Sequence, residues 1–290
     1  MPLVKYDAGL SALVESAAVE RISGRHEFTE GPAWHPDGYL LFSDIPADRI
    51  CFWTDEGTKT FRKPSANSNG LVFDRQFRLV ACEHANRRVS RTETDFAVIA
   101  LAERFRGKRL NSPNDVVVRS DGSIYFTDPP YGVEAKDREL DFQGVYRIGP
   151  DGELTLADDD FDKPNGLAFS PDEQTLYIDD SGRKHIRAFT VHADGSLTDN
   201  RVFAEMASNS PGSPDGMKID NDGRVWCAGP EAVWVFDPNG KRLGILDLPE
   251  KPSNCCWGDP DRRTLFITAR SSVYRVRTRV AGVDVLKAWK

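Results

Sequence analysis

Six residues carrying side-chain oxygens stand at the same place in six similar segments: Glu30 in TEGPAWHPDG, Asn69 in SNGLVFDRQ, Asn114 in PNDVVVRSDG, Asn165 in PNGLAFSPDE, Asp215 in PDGMKIDNDG and Asn254 in SNCCWGDPD. Five of them lie seven residues before a turn aspartate, and Asn69 lies five before. Carboxylate and amide oxygens are the ligands of hard cations, so a ring of them suits Ca²⁺, Mg²⁺ or Mn²⁺. Glu30 and Asp215 together would balance one divalent charge. Without a cation they would repel each other in a confined space, and one would tend to protonate. Asparagine or aspartate beside glycine also forms turns, and that reading accounts for any single copy. It does not account for Glu30, because glutamate is not a turn former. Nor does turn chemistry require the repetition of PN, PN and PD at Asn114, Asn165 and Asp215.

The segments themselves dictate what positions these residues. Each continues into an aspartate turn (Asp37, Asp74, Asp121, Asp172, Asp222 and Asp261) and a β-branched and aromatic run, which is a hairpin signal. A third strand follows each run, as in DRICFW, GVYRIG and SVYRVR, and a fourth precedes the next unit, as in GELTLAD. Four short antiparallel strands in every repeat, six times over, predict an all-β, six-bladed propeller. The innermost strand of each blade borders the central channel, so equivalent positions converge near the axis. The last blade lacks an outer strand after SVYRVR, and SAAVERIS at residues 16–23 is a spare one, predicted to close the ring. No Pro/Gly/Ser-rich linker divides the chain, which reads as one domain over 1–290.

Bulk properties exclude several functions. A net charge of −7 and a pI near 5.4 argue against nucleic acid and anionic membranes, which call for clustered lysine and arginine. No apolar run approaches the roughly 20 residues of a membrane span. The N-terminus lacks the basic start and apolar core of a secretion signal. The five cysteines (Cys51, Cys82, Cys227, Cys255, Cys256) are odd in number and form no C-x-x-C pair, which fits a reducing cytoplasm and disfavours a thiol zinc site. There is no G-x-S-x-G elbow, G-x-G-x-x-G loop or Walker loop, which removes serine hydrolases, dinucleotide enzymes and NTPases.

The stretches FTEGPAWHPDG, RLNSPNDVVVRSDGSIYFTDPPYG, PNGLAFSPD and SPDGMKID resemble the SMP-30/gluconolactonase/LRE family of six-bladed, metal-dependent lactonases. The resemblance runs from about residue 20 to residue 276, and NSPNDVVV and YFTDPPYG bring it closest to the bacterial gluconolactonases. It implies one divalent cation held by Glu30, Asn165 and Asp215, with Asn114 on the metal or the substrate. Calcium is the first choice, with zinc, magnesium or manganese as alternatives. One departure is Ser112, which stands where the animal branch has arginine. Arg109 and Asn111, just upstream, are the substrate-binding candidates in its place.

Lactone opening needs a polarised carbonyl and an activated water, and a cation at the channel mouth would supply the first. Asp215 is the candidate general base, with metal-bound hydroxide as the alternative nucleophile. Glu83 and His84 end a strand as Asp44 and Asp128 do, and are expected to reach the mouth as substrate contacts. Tyr131, in the long interruption 128–144, is expected to overhang the site and offer its ring or hydroxyl to a sugar-like ligand. The ligand is then a small-molecule lactone. Two other readings stay open: a phosphotriesterase-like hydrolase on the same metal, and a non-catalytic propeller that presents loops to a protein partner.

Overall fold

A computed structural model describes residues 5–6, 8–15 and 19–283. Its strands form the six antiparallel sheets of a six-bladed propeller, with one further two-stranded sheet, Arg104–Phe105 against Lys108–Arg109. Blade 1 runs Thr29–His35, Tyr39–Asp44, Arg49–Thr54 and Gly57–Arg62 from the axis outward, each strand pairing with the next. Blades 2, 3 and 4 repeat this order over 68–102, 116–158 and 164–205. Blade 5 covers 217–247, and blade 6 has three strands of its own between Pro252 and Arg277.

Period-two alternation explains how the blades stick together. In blade 3, Val116 and Val118 face blade 2 while Val117 between them faces blade 4. The innermost strands are therefore buried on both faces, which is why they read as near-continuous apolar runs. Each pair of consecutive blades shares an apolar cluster. The last of these joins blade 6 to blade 1 through Phe266, Cys256 and Val273 against Leu40, Phe42 and Trp53.

The ring closes as the sequence predicts. Glu20–Ser23 pairs antiparallel with Ser272–Arg277 as the outer strand of blade 6. Residues 16–18 of the expected strand lie outside the described residues. One addition was not expected: Lys5–Tyr6 pairs with Arg242–Asp247 as a fifth strand on blade 5. Between the two pairings, Leu10, Leu13 and Val14 pack into the cluster shared by blades 5 and 6. The N-terminal segment thus ties two blades together. None of the five cysteines forms a disulfide, and no helix among the described residues is long and apolar enough to cross a membrane.

Candidate metal centre

All six ring residues lie where the innermost strand of a blade begins, and none lies in a turn. In blades 1, 2 and 4 the register slips at that point, around Glu30, Asn69 and Asn165, and such a bulge re-aims a side chain out of the sheet. The glycine after the ring residue has a separate purpose. A methyl on Gly31 would overlap the carbonyl of Asn69, one on Gly166 that of Asp215, and one on Gly216 the amide of Asn254. On Gly70 it would lie 2.6 Å from Asn114 O. Glycine lets each blade approach the ring residue of the next. Hydroxyls fix the same backbone: Ser43 Oγ donates to Asn69 O at 2.7 Å, and Thr127 Oγ1 donates to Asn165 O at 2.8 Å.

A second device sits one residue further along the second strand. Asp44 Oδ1 accepts the amides of Glu27 and Phe28 at 2.9 and 3.1 Å. Asp128 accepts those of Asn111 and Ser112, both at 2.7 Å, and Asp180 those of Asp162 and Lys163 at 2.9 and 3.0 Å. These amides lie two or three residues before Glu30, Asn114 and Asn165, so the strand-end acids are braces that set where each ring strand starts. Glu83 holds the corresponding place in blade 2. Its carboxylate is taken up by Asn86 Nδ2 and Arg88 Nε, both at 2.6 Å, and by Ser90 Oγ at 2.5 Å.

The remaining sequence candidates divide in two. Asn111 is buried, with Nδ2 donating to Asp128 O and Phe142 O, and Arg109 reaches Asn86 O at 2.9 Å. Neither joins the ring. His84 and Tyr131 do. His84 Nε2 faces Asn69 Nδ2 at 3.3 Å, and burial pushes its pKa down to about 4, so the neutral imidazole accepts from the amide. The overhanging loop is seated beside it, with Gly132 N donating to Ser112 Oγ at 2.9 Å. The Tyr131 hydroxyl lies at Ser181 and Asn165 while the residue as a whole stays about half exposed, and desolvation at the hydroxyl raises its pKa above the usual phenol range.

Around the axis the amides form a relay. Asn69 Nδ2 donates to Asn114 Oδ1 at 2.5 Å, Asn114 Nδ2 to Asn165 Oδ1 at 2.6 Å, and Asn165 Nδ2 to Ser181 Oγ at 3.1 Å. Asn254 Nδ2 spans the channel, donating to Glu30 Oε2 at 3.1 Å and to Asp115 Oδ2 at 3.3 Å. Asp115 and Asp179 are members that sequence reasoning missed. Asp115 follows Asn114 where blades 1, 2, 4 and 5 have glycine, and Asp179 stands where blades 1 and 3 have Ser43 and Thr127. Neither oxygen of the fully buried Asp179 accepts a well-aligned hydrogen bond, although the Gly166 amide lies close.

Four carboxylates from four blades therefore crowd one axis. Burial, then Asp215 and Asp115, push Glu30 well above the usual carboxylate range, and Asp179 is raised by the same causes. Burial raises Asp215 to about 7 against the opposing pull of Lys251. Asp215 also lines the mouth, a cavity of about 390 Å³ bounded by Phe28, Lys251 and Arg270. The donor set fits a hard divalent cation: carboxylates of Glu30 and Asp215, with amide oxygens of Asn114 and Asn165 that each keep a second lone pair. A tighter grouping elsewhere, His26, Asp44 and Cys51, does not. Arg49 Nε and Nη2 already neutralise Asp44 Oδ2 at 3.1 and 2.8 Å, and burial pushes the Cys51 thiol up to about 11.

Residues 28–271 match the family model described as an SMP-30/gluconolactonase/LRE-like region. A gluconolactonase from Zymomonas mobilis is 34% identical over 97% of this chain and 87% of its own. A pentonolactonase from Haloferax volcanii is 28% identical over 82% and 80%. The solved structure of a gluconolactonase from Xanthomonas campestris matches with a TM-score of 0.88 at 38% identity, covering 96% of this chain and 95% of that one. With the family match reaching into all six blades and covering every ring position, the chain belongs to the SMP-30/gluconolactonase/LRE-like family.

Proposed function

We propose that this protein is a metal-dependent lactonase acting on sugar lactones at the axial ring. The observation that carries the reading is the convergence of Glu30, Asp115, Asp179 and Asp215 on one axis, with neutral amides between them. Buried carboxylates this close are costly even with Lys251 pulling on Asp215, and a scaffold gains nothing from them. Glu30, Asn165 and Asp215 would hold the cation, with Asn114 beside them. Calcium is the first choice for an all-oxygen set, and zinc, magnesium or manganese are alternatives. When bound, it would supply Lewis-acid polarisation of the lactone carbonyl and stabilise charge on its oxygen.

The chain's own groups do the rest. Asp215 is at once buried by the ring and open to the mouth, so its carboxylate can take the proton of a water attacking the carbonyl carbon. The acyl C–O bond then breaks, and the ring oxygen takes the proton that Asp215 accepted and leaves as a hydroxyl, giving the hydroxy acid. Tyr131 stays protonated and offers a neutral hydrogen bond to a substrate hydroxyl, and Asn165 beneath it is held in place by Ser181.

The test is a rate assay on aldonolactones, aromatic lactones and organophosphate triesters after chelation and after restoring each divalent cation in turn. Activity on sugar lactones should vanish and return. Full turnover by a verified metal-free sample would remove the cation from the reading, and preference for the triesters would change its substrate. Metal binding with no turnover of any of them would leave a binding propeller. Asp215→Asn should bind the cation more weakly and stay nearly inactive at saturating cation. Asn165→Ala should lose affinity first and recover part of its rate. Recovery by Asp215→Asn would show that Asp215 is not the base.

A further inference from the structure

A second cavity, of about 310 Å³, lies behind the ring. Its walls are the residues that follow the ring along each innermost strand, such as Ala33, Val72, Val117, Phe169, Ile219 and Trp257. It also includes the hairpin residues Ser120 and Asp172, so it opens on the face opposite the mouth at Asp215. The walls are mainly apolar and carry two cations, Lys218 and, at the hairpin end, Arg262, whose Nη2 donates to Val283 O at 3.0 Å. Lys218, three residues past Asp215, stands at the inner end. Its Nζ donates to Met217 O at 2.9 Å and approaches Asn254 Oδ1 at 3.5 Å, and it forms no ion pair with any described carboxylate. The acids at the outer rim are occupied: Asp172 accepts from Ser170 Oγ at 2.6 Å, and Glu173 from Ser120 N at 2.8 Å.

A concave, mainly apolar site with a few fixed polar groups is the usual form of a small-ligand pocket, and 310 Å³ is at the lower end of that size class. An ammonium has three protons to donate, and two carbonyl oxygens leave one unused. We propose that this rear cavity binds a small monocarboxylate with an apolar tail, the carboxylate pairing with Lys218 and the tail lying along Val117, Phe169 and Trp257. Its size follows from the volume. A methylene takes up roughly as much room as a water molecule, about 30 Å³, so the cavity holds about ten non-hydrogen atoms. A medium-chain or aryl-alkyl acid has that size. A charge-assisted pair in an apolar cavity, and not tail burial alone, should set the preference for acid over alcohol.

The test uses the full chain without added metal, which separates it from lactone chemistry. Octanoate and octanol are titrated by calorimetry. Binding of 8-bromooctanoate is followed by quenching of tryptophan fluorescence, since Trp34 and Trp257 line the cavity. Octanoate should bind and compete with the brominated acid. Lys218→Met should weaken the acid by about 10- to 100-fold and leave octanol unchanged. Val117→Trp should abolish both, and if that variant fails to fold, loss of quenching in Trp34→Phe/Trp257→Phe locates the ligand instead. The proposal is overturned if octanoate does not bind, if Lys218→Met binds it as the parent does, or if quenching survives in the double tryptophan variant.

Discussion

Gly70→Ala distinguishes the two reasons for an asparagine–glycine pair. Gly70 does not have the left-handed backbone that favours glycine in a turn, so an alanine there meets no conformational penalty of its own. It meets blade 3 instead. The added methyl would lie 2.6 Å from Asn114 O, 2.7 Å from Asp115 Cα and 2.8 Å from Asp115 Oδ1. A carbon–oxygen contact relaxes at about 3.3 Å, so with the 2.6 Å approach the backbones must part by about 0.7 Å. Overpacking of this kind costs about 1–3 kcal/mol, or roughly 2–12 °C in Tm for a chain this size. The displacement falls on Asn114, whose amide holds Asn165 Oδ1 at 2.6 Å. Misplacing a functional group by close to an ångström costs up to about 100-fold in rate. Differential scanning fluorimetry and lactone hydrolysis at saturating cation read both effects. Gly24→Ala is the control, since its nearest neighbour is Ser272 Oγ at 3.5 Å, and it should be neutral or slightly stabilising. If Gly70→Ala melts and turns over as the parent does, close approach is not what the glycine supplies.

Stability should depend on pH in a direction that the axial acids set. Asp128 and Asp215 are raised to about 7 in the fold, mainly by burial, against about 3.9 in the unfolded chain. The fold thus holds protons that the unfolded chain has released, and chelated protein should lose Tm as pH rises from about 4 to about 7. A saturating cation should flatten the part due to Asp215 and Glu30 and leave that of Asp128. A Tm that rises over this window in the chelated protein would contradict the assignment. Deleting residues 1–24 strips the outer strands of blades 5 and 6 and removes Leu10, Leu13 and Val14 from the core. Burial of three such side chains stabilises by roughly 5–9 kcal/mol, comparable with the stability of a whole domain. The truncated chain should aggregate through its bared edges, and a monodisperse product with an unchanged midpoint would place the closure elsewhere.

The propeller and the ring were legible because each is written six times. Repetition turned an ambiguous asparagine at position 165 into one of six equivalent positions, and the spare strand at Glu20–Ser23 stood out because the last blade lacked one. Single events were not legible. Lys5–Tyr6 spans only two residues, too few for alternation to show. Glu83 shares its strand-end place with Asp44 and Asp128, and in the structure that place faces bracing partners and not the mouth. Such acids bind backbone amides that precede the ring, a three-dimensional closure that strand grammar does not express. In Glu83 the same place is satisfied by Arg88 and Ser90, which neighbour it only across the sheet.

The chemistry lies where the repeat is broken. A propeller of identical blades would put six identical groups on its axis, and four of the six here are asparagines. The departures are Glu30 and Asp215 in the ring, Asp115 in place of a glycine, and Asp179 in place of a hydroxyl. Each exchanges a neutral group that packs well for a buried acid, and each does so in a different blade. Asp179 makes the case most sharply. Ser43 and Thr127 donate to the carbonyl of the next blade's ring residue, and an ionised carboxylate cannot. Packing alone therefore favours a hydroxyl at residue 179, and an ionised acid there gives up that bond. Departures that share one sign, point to one axis and come from four blades are a property of that axis. The cation proposed above is a positive partner that would answer all four.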